Sequence, residues 1–408
     1  MIKTFRVAKY KNFVDTELNF GKINLFIGPN NSGKSNFIEA MQLGAELYGE
    51  RGDERNSLHV ALGKRCWESI LNNGYTHDDA IELVNVLGDS TSDLFTSLLI
   101  NISTNDNIPH GFYLEKASMS LRRASELGEI TLNTRPNSVE LITSFPGKEP
   151  IAYRYQLPNA VSLTKLAKEL QKEDSFRKEA YLPFSTISEA MLKFFSGQHY
   201  YSFSDFTPSE ISRAAQIKID STLLSPDCTN IIDVLRRLES NHDFLDTYVD
   251  ILDMAIHNLE KIKLLHLSTD IYALQATIGK NKYSFSELST GAIRMFVLAL
   301  LLHTPERYTV LSLDEPELNL HPAWLKILGK WMMRGTSFDQ LFISTHSPDL
   351  LDVFTEAFRE GEASIYVFDL KEGPRQLAPS DVADFLDQGW ELGDLYRVGE
   401  PQVGGWPW

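Results

Sequence analysis

Residues 28–35 read Gly-Pro-Asn-Asn-Ser-Gly-Lys-Ser, the complete GxxxxGK[ST] pattern, and they follow the apolar run Ile23-Asn24-Leu25-Phe26-Ile27. The pattern has chemical meaning when a strand delivers it and a helix leaves it. The turn then wraps backbone N–H groups around a phosphate, and the helix N-terminus adds its partial positive charge. The helix is expected from Lys34 through Leu47. Gly28 and Gly33 would let the backbone wrap, Lys34 would reach the β and γ oxygens as a point charge, and the Ser35 hydroxyl is placed to ligate Mg²⁺. These features predict an α/β protein that binds a nucleoside triphosphate.

A second cluster lies far along the chain. Thr309-Val310-Leu311-Ser312-Leu313 reads as a buried strand and ends in Asp314-Glu315-Pro316, which puts two carboxylates at the C-terminal edge of a sheet, where ligands bind in open α/β folds. Asp314 is the candidate for the Mg²⁺ shell, and Glu315 for orienting or deprotonating an attacking water. Gln340-Leu341-Phe342-Ile343-Ser344-Thr345 is another strand-like run, and it delivers His346 to the same edge, where an imidazole could donate to a γ-phosphate. Upstream, Leu288-Ser289-Thr290-Gly291 reads as a serine N-cap and glycine turn opening an apolar helix, with amides and a hydroxyl suited to a phosphate.

Together these stretches resemble the ABC-type ATPases, with Walker A at Gly28 to Ser35, a signature motif at Leu288 to Gly291, Walker B at Leu311 to Glu315 and a switch histidine at His346. The opening Phe5 to Phe13, the Asn-Asn-Ser-Gly-Lys-Ser-Asn loop, Asp314 to Pro322 and Ser344 to Pro348 are similar to the RecF/OLD-like branch. That branch holds the SMC and RecF heads, the overcoming-lysogenization-defect nucleases and many ATPases of prokaryotic anti-phage defence. The resemblance implies an ABC-type P-loop ATPase head with a mixed central sheet, an antiparallel β lobe and a helical signature lobe. It implies ATP and Mg²⁺ as cofactors, with nucleotide contacts from Gly28, Asn30, Asn31, Ser32, Gly33, Lys34, Ser35, Asn36, Ser289 and Gly291. Ser35 and Asp314 would hold the metal, and Glu315 and His346 would be catalytic. Two departures stand out. The signature has Ser-Thr-Gly where transporters usually have Ser-Gly-Gly, and the glutamine-loop residue has two candidates, Gln156 and Gln198, between which the sequence does not choose.

Composition narrows the functional classes. A net charge of −16 argues against extended non-specific contact with nucleic acid, which needs a surplus of lysine and arginine. It leaves open a local basic groove, for which Arg122-Arg123 and Arg236-Arg237 are candidates. No apolar run reaches the roughly 18 residues of a membrane span, and nothing ahead of the first strand reads as a signal peptide, so a cytoplasmic protein with no membrane partner is expected. The two cysteines, Cys66 and Cys228, lack metal-ligand spacing.

Strand-like runs at Leu94 to Ile102, Gly111 to Glu115, Glu129 to Asn133, Val139 to Ser144 and Ile151 to Gln156 suit an antiparallel sheet, and His199 to Phe203 a further strand. Val161 to Lys172, Ile187 to Phe195, Asn230 to Leu238 and Phe244 to Leu259 read as helices, and Glu50 to Asp79 as loop and short helix. The expected division is residues 1–160 as an N-terminal ATPase lobe, 161–283 as a helical lobe, and 284–408 with signature, Walker B, switch histidine and tail.

The functional expectation is an ATP-hydrolysing switch whose heads pair as a homodimer or higher homo-oligomer through composite ATP sites. About 50 residues follow Phe354, short of the usual ~100 for a domain, so no nuclease domain of its own is expected and the output would pass to a separately encoded effector in anti-phage defence. Trp406 and Trp408 are candidates for packing or for a partner anchor. The alternative is a DNA repair or chromosome-maintenance ATPase of the RecF or SMC-head kind that binds DNA directly.

Overall fold

Ile23–Ile27 is buried at all five positions, the pattern of a strand covered on both faces. The computed structural model describes residues 1–48, 80–88, 95–104, 112–123, 126–135, 138–144, 147, 149–155, 193–216, 222–268 and 270–404. The chain divides into two compact units, Met1–Gly21 with Asn30–Gln198 and Phe368–Gln376, and Lys22–Pro29 with His199–Val367 and Leu377–Trp408. The division falls inside the glycine-rich loop, between Pro29 and Asn30.

The chain opens with β1 (Ile2–Tyr10), β2 (Phe13–Asn19), β3 (Ile23–Ile27) and α1 (Lys34–Tyr48). The first unit continues with β4 (Ile81–Gly88), β5 (Phe95–Thr104), β6 (Phe112–Arg123), β7 (Glu126–Arg135), β8 (Ser138–Ser144) and β9 (Ile151–Tyr155). All of these except β3 and α1 form one eight-stranded sheet in the order β2-β1-β4-β5-β6-β7-β8-β9, antiparallel throughout. The antiparallel sheet expected from the sequence is therefore present. Its strands run longer than their apolar runs suggested at β6 and β7, and β4 was not anticipated although its burial alternates strictly over its first seven residues. Helix α1 docks through Phe37, whose ring meets Phe5, Phe13 and Phe20 edge-on at centroid distances of 5.4, 5.4 and 6.2 Å.

In the second unit β10 (Gln198–Ser202), β15 (Val310–Asp314), β16 (Leu341–Ser344), β3 and β17 (Ala363–Asp369) lie side by side in that order. β15, β16, β3 and β17 run parallel. Helices α2 (Ile231–Leu238) and α3 (His242–Asp253) lie in the chain between β11 (Ala215–Gln216) and β12 (Leu259–Ser268), which with β13 (Ile271–Ile278) and β14 (Asn281–Ser284) form a small antiparallel sheet. Then come α4 (Thr290–His303), α5 (Pro322–Arg334), α6 (Pro348–Val353), β18 (Gly373–Leu377) and α7 (Leu392–Val398). Helix α4 is buried from Gly291 to Leu302, so it has no solvent face for most of its length, and Tyr248 of α3 donates to the Phe296 carbonyl at 2.6 Å beside it.

One helix ends earlier than expected. The run from Phe244 to Leu259 is helical only to Asp253, and Leu259 opens β12, its N–H donating to the Asp253 carboxylate at 3.1 Å after a turn with Asn258 at φ +64°. The signal was an alternation, Lys261 and Lys263 exposed against half-buried Ile262 and Leu264, that a helical reading of the preceding residues masked. Arg236 lies over the Tyr272 ring at 4.8 Å. The segments 50–79 and 161–172 lie outside the described residues, as do Cys66, Gln156, Trp406 and Trp408 and most of 187–195; Cys228 is buried. Among the described residues no helix is long and apolar enough to cross a membrane.

Candidate nucleotide site

The register of three parallel strands decides which residues share an edge. Asp314 on β15 pairs with Ser344 on β16, which pairs with Phe26 on β3. The ladder runs one step further, with Glu315 N–H donating to the Ser344 carbonyl and Thr345 N–H to the Phe26 carbonyl, both at 3.0 Å. Asp314, Glu315, Thr345, His346 and Gly28 consequently emerge at one C-terminal sheet edge. Glu315 turns the chain with φ +51°, a left-handed conformation uncommon for a non-glycine residue.

Asp314 is 6% exposed, and its carboxylate accepts hydrogen bonds from the Tyr200 hydroxyl at 2.9 Å and from the Ser344 hydroxyl. His346 Nε2 lies 3.3 Å from Glu315 Oε1, so the two residues read as catalytic from the sequence meet directly. Glu317, two residues on, accepts from the Thr345 hydroxyl at 2.6 Å and from the His346 N–H at 2.9 Å, both on Oε1. The residue is partly exposed, but its carboxylate is enclosed, and burial raises its pKa above the ordinary glutamate value. At the start of the glycine-rich loop the Tyr396 hydroxyl of α7 donates to the Gly28 carbonyl at 3.3 Å, and burial holds that phenol above its usual pKa.

The rest of the loop belongs to the other unit. Positive φ at Gly28, Asn31 and Gly33 (142°, 63° and 103°) turns the backbone as an anion-binding loop requires. At Gly33, where φ is +103°, a Cβ would also stand 2.2 Å from Asn12 Nδ2 and would have to push that amide aside. Asn12, in the β1–β2 turn, donates to the Ser32 carbonyl at 3.3 Å and accepts from Asn36 Nδ2 at 2.9 Å. Lys11 donates to Asn36 Oδ1 at 3.0 Å and pairs with Glu39. Lys34 is 5% exposed and Ser32 2%. Asn30 and Ser35 have exposed side-chain environments flanking that buried core.

Ser289 caps α4 by accepting from the Ala292 N–H at 3.2 Å, yet it remains exposed, as does Thr290. Gly291 packs so closely that a Cβ would meet the Trp324 ring at 2.8 Å and the Asn319 carbonyl at 3.3 Å. Of the two glutamine candidates, Gln198 is the first residue of β10 and buried.

Residues 23–352, more than half of the chain, match the family described as "AAA domain, putative AbiEii toxin, Type IV TA system". The chain belongs to this family. With its intact loop it is a P-loop ATPase-type domain. No curated protein matches it. Among solved structures it is similar to an SMC head bound to the C-winged helix domain of ScpA, at 12% identity, TM-score 0.48, covering 93% of this chain and 99% of that one. A second is the SMC head with an extended coiled coil bound to the C-terminal domain of ScpA from Pyrococcus furiosus, at 12% identity, TM-score 0.43, covering 95% and 98%. A third is the SMC head from Thermotoga maritima, at 14% identity, TM-score 0.35, covering 90% and 94%.

The residues present suit a nucleotide phosphate. The Ser32 hydroxyl is buried without a hydrogen-bond partner among the described residues, a polar atom that an anion in the loop would satisfy.

Proposed function

We propose that this chain is an ATP-hydrolysing switch of the ABC type. The observation that carries the reading is the shared edge of β15, β16 and β3, which collects Asp314, the Glu315–His346 pair and the start of the GxxxxGKS loop. Lys34 and the loop amides take the phosphates, and Ser35 and Asp314 are the residues that would hold Mg²⁺. When bound, the metal offsets charge on the phosphate oxygens. Glu315 orients the attacking water, and His346, held against it, fixes the direction of that carboxylate and offers a donor toward the γ-phosphate. Ser289 and Gly291 open a buried helix at an exposed end, which suits a signature that completes the site of a second copy.

ATP-driven pairing of two heads is then the output, and hydrolysis reverses it. The resemblance of the motifs to defence ATPases favours a second gene product, a nuclease or toxin, as the effector that pairing governs in anti-phage defence, and the family description, which names a putative toxin and a Type IV TA system, fits a two-component setting. The test is sedimentation of the Glu315→Gln protein with and without ATP. An ATP-dependent rise in mass is expected, and the additional Ser289→Arg change, a long cation in place of an exposed hydroxyl, should abolish the rise while ATP still binds. If the double variant associates like its parent, the signature does not act between copies.

A further inference from the structure

The sequence marks Glu315 and His346 but assigns nothing to Glu317, which sits on the same turn and contacts the other strand's loop. Its Oε1 receives two hydrogen bonds from consecutive positions, the Thr345 hydroxyl at 2.6 Å and the His346 N–H at 2.9 Å. The Ser347 N–H then donates to Thr345 Oγ1 at 3.0 Å, and the Ser347 side chain caps α6 through the Leu350 N–H at 3.2 Å. A continuous chain of bonds therefore runs from the carboxylate through the 345–347 turn into a helix. The other carboxylate oxygen, Oε2, is buried with no partner among the described residues. A carboxylate enclosed in this way costs stability, so packing alone would favour an apolar side chain. What the acid supplies instead is a fixed position for the backbone that carries the imidazole.

We propose that Glu317 is a positioning residue that acts through His346: by tying the 345–346 backbone to the turn after Asp314 it holds Nε2 within reach of the Glu315 carboxylate. The proposal deepens the ATPase reading and rests on it. Groups that hold a reactive residue in place typically contribute ~10- to 100-fold, and their losses are not additive with loss of the residue they hold.

The experiment is steady-state ATP hydrolysis by the full chain and the variants Glu317→Ala, Glu317→Gln, Thr345→Val, His346→Ala and Glu317→Ala with His346→Ala. Glu317→Ala should lower kcat by ~10- to 100-fold with KM for ATP little changed. Glu317→Gln should recover most of that loss, because an amide oxygen still accepts both bonds, and Thr345→Val should lose several-fold by removing one donor. The double variant should be no slower than His346→Ala alone. Losses that multiply in the double variant, or a Glu317→Ala kcat within about two-fold of the parent, overturn the proposal. Should Glu317→Ala fail to fold, Thr345→Val decides, and an unchanged kcat there also overturns it. Lys34→Ala separates the two levels. A parent no more active than Lys34→Ala refutes the ATPase reading and this inference with it, whereas an active parent with insensitive Glu317 and Thr345 variants refutes only the inference.

Discussion

The parallel sheet of the second unit and the antiparallel sheet of the first use the same secondary structure for different ends. β15 and β3 are buried at five of five positions and β16 at four of four, so their side chains serve mainly packing until each strand ends, with Asn24 of β3 donating to the Leu341 carbonyl at 3.2 Å as an internal tie. In β2 only Phe13 and Leu18 are buried while Val14, Asp15, Glu17 and Asn19 are exposed, and half-buried Arg6 of β1 bridges Asp15 of β2 and Glu82 of β4. A strand covered on both faces leaves little room for polar groups along its length, Asn24 and Ser312 being the exceptions here, which concentrates chemistry at its C-terminal edge. A strand with one wet face spreads its polar groups along the sheet, where solvent screens them. The catalytic candidates stand at the ends of the dry strands.

Substitutions at contrasting depths test this difference. Ile343→Ala, fully buried in the middle of the parallel sheet, should cost about 2–5 kcal/mol in denaturant unfolding, the range for large-to-small changes in cores. A loss no larger than that of an exposed site would break the distinction. A weaker effect comes from His303, in the last turn of α4, set edge-on to Trp331 at 6.2 Å. Burial lowers its pKa from the usual 6.5 to about 4, so the folded protein binds the proton less readily than the unfolded chain. The stability this contributes is present above pH 6.5 and drains away as the pH falls toward about 4, and His303→Phe should flatten the melting profile across that window. An unchanged slope would show that His303 does not titrate there. The smallest effect should be Val14→Ala on β2, 58% exposed, which should stay within ~0.5 kcal/mol of the parent.

The same contrast explains what could be read in the sequence. Ile23 to Ile27 and Val310 to Leu313 are short dense apolar runs ending in polar residues, so the strands and the loop, acid pair and histidine that follow them are visible in one dimension. β4 and β12 alternate, and alternation in a chain with many half-apolar segments is a weaker signal, especially at β12, which follows directly on a helix. The supporting residues were not legible at all. Tyr200 reaches Asp314 across 114 positions, Tyr396 reaches Gly28 across 368, and Asn12 props Ser32 and Asn36 from a turn between two strands. Only the register of the folded sheets brings such partners together. Glu317 lies within the stretch Asp314 to Pro322, but its role depends on Thr345 and His346 arriving beside it.

The central claim is that the edge carrying Glu315 hydrolyses a nucleotide held by the GxxxxGKS loop. The most direct measurement is ATP binding and Mg²⁺-dependent turnover compared among the parent, Lys34→Ala and Glu315→Gln. Lys34→Ala should lose binding and turnover together, whereas Glu315→Gln should bind ATP as the parent does and turn it over ~10²–10³-fold more slowly, the usual loss when a water-orienting or charge-stabilising group is removed. Parental turnover by Glu315→Gln, or undiminished ATP binding by Lys34→Ala, would contradict the account.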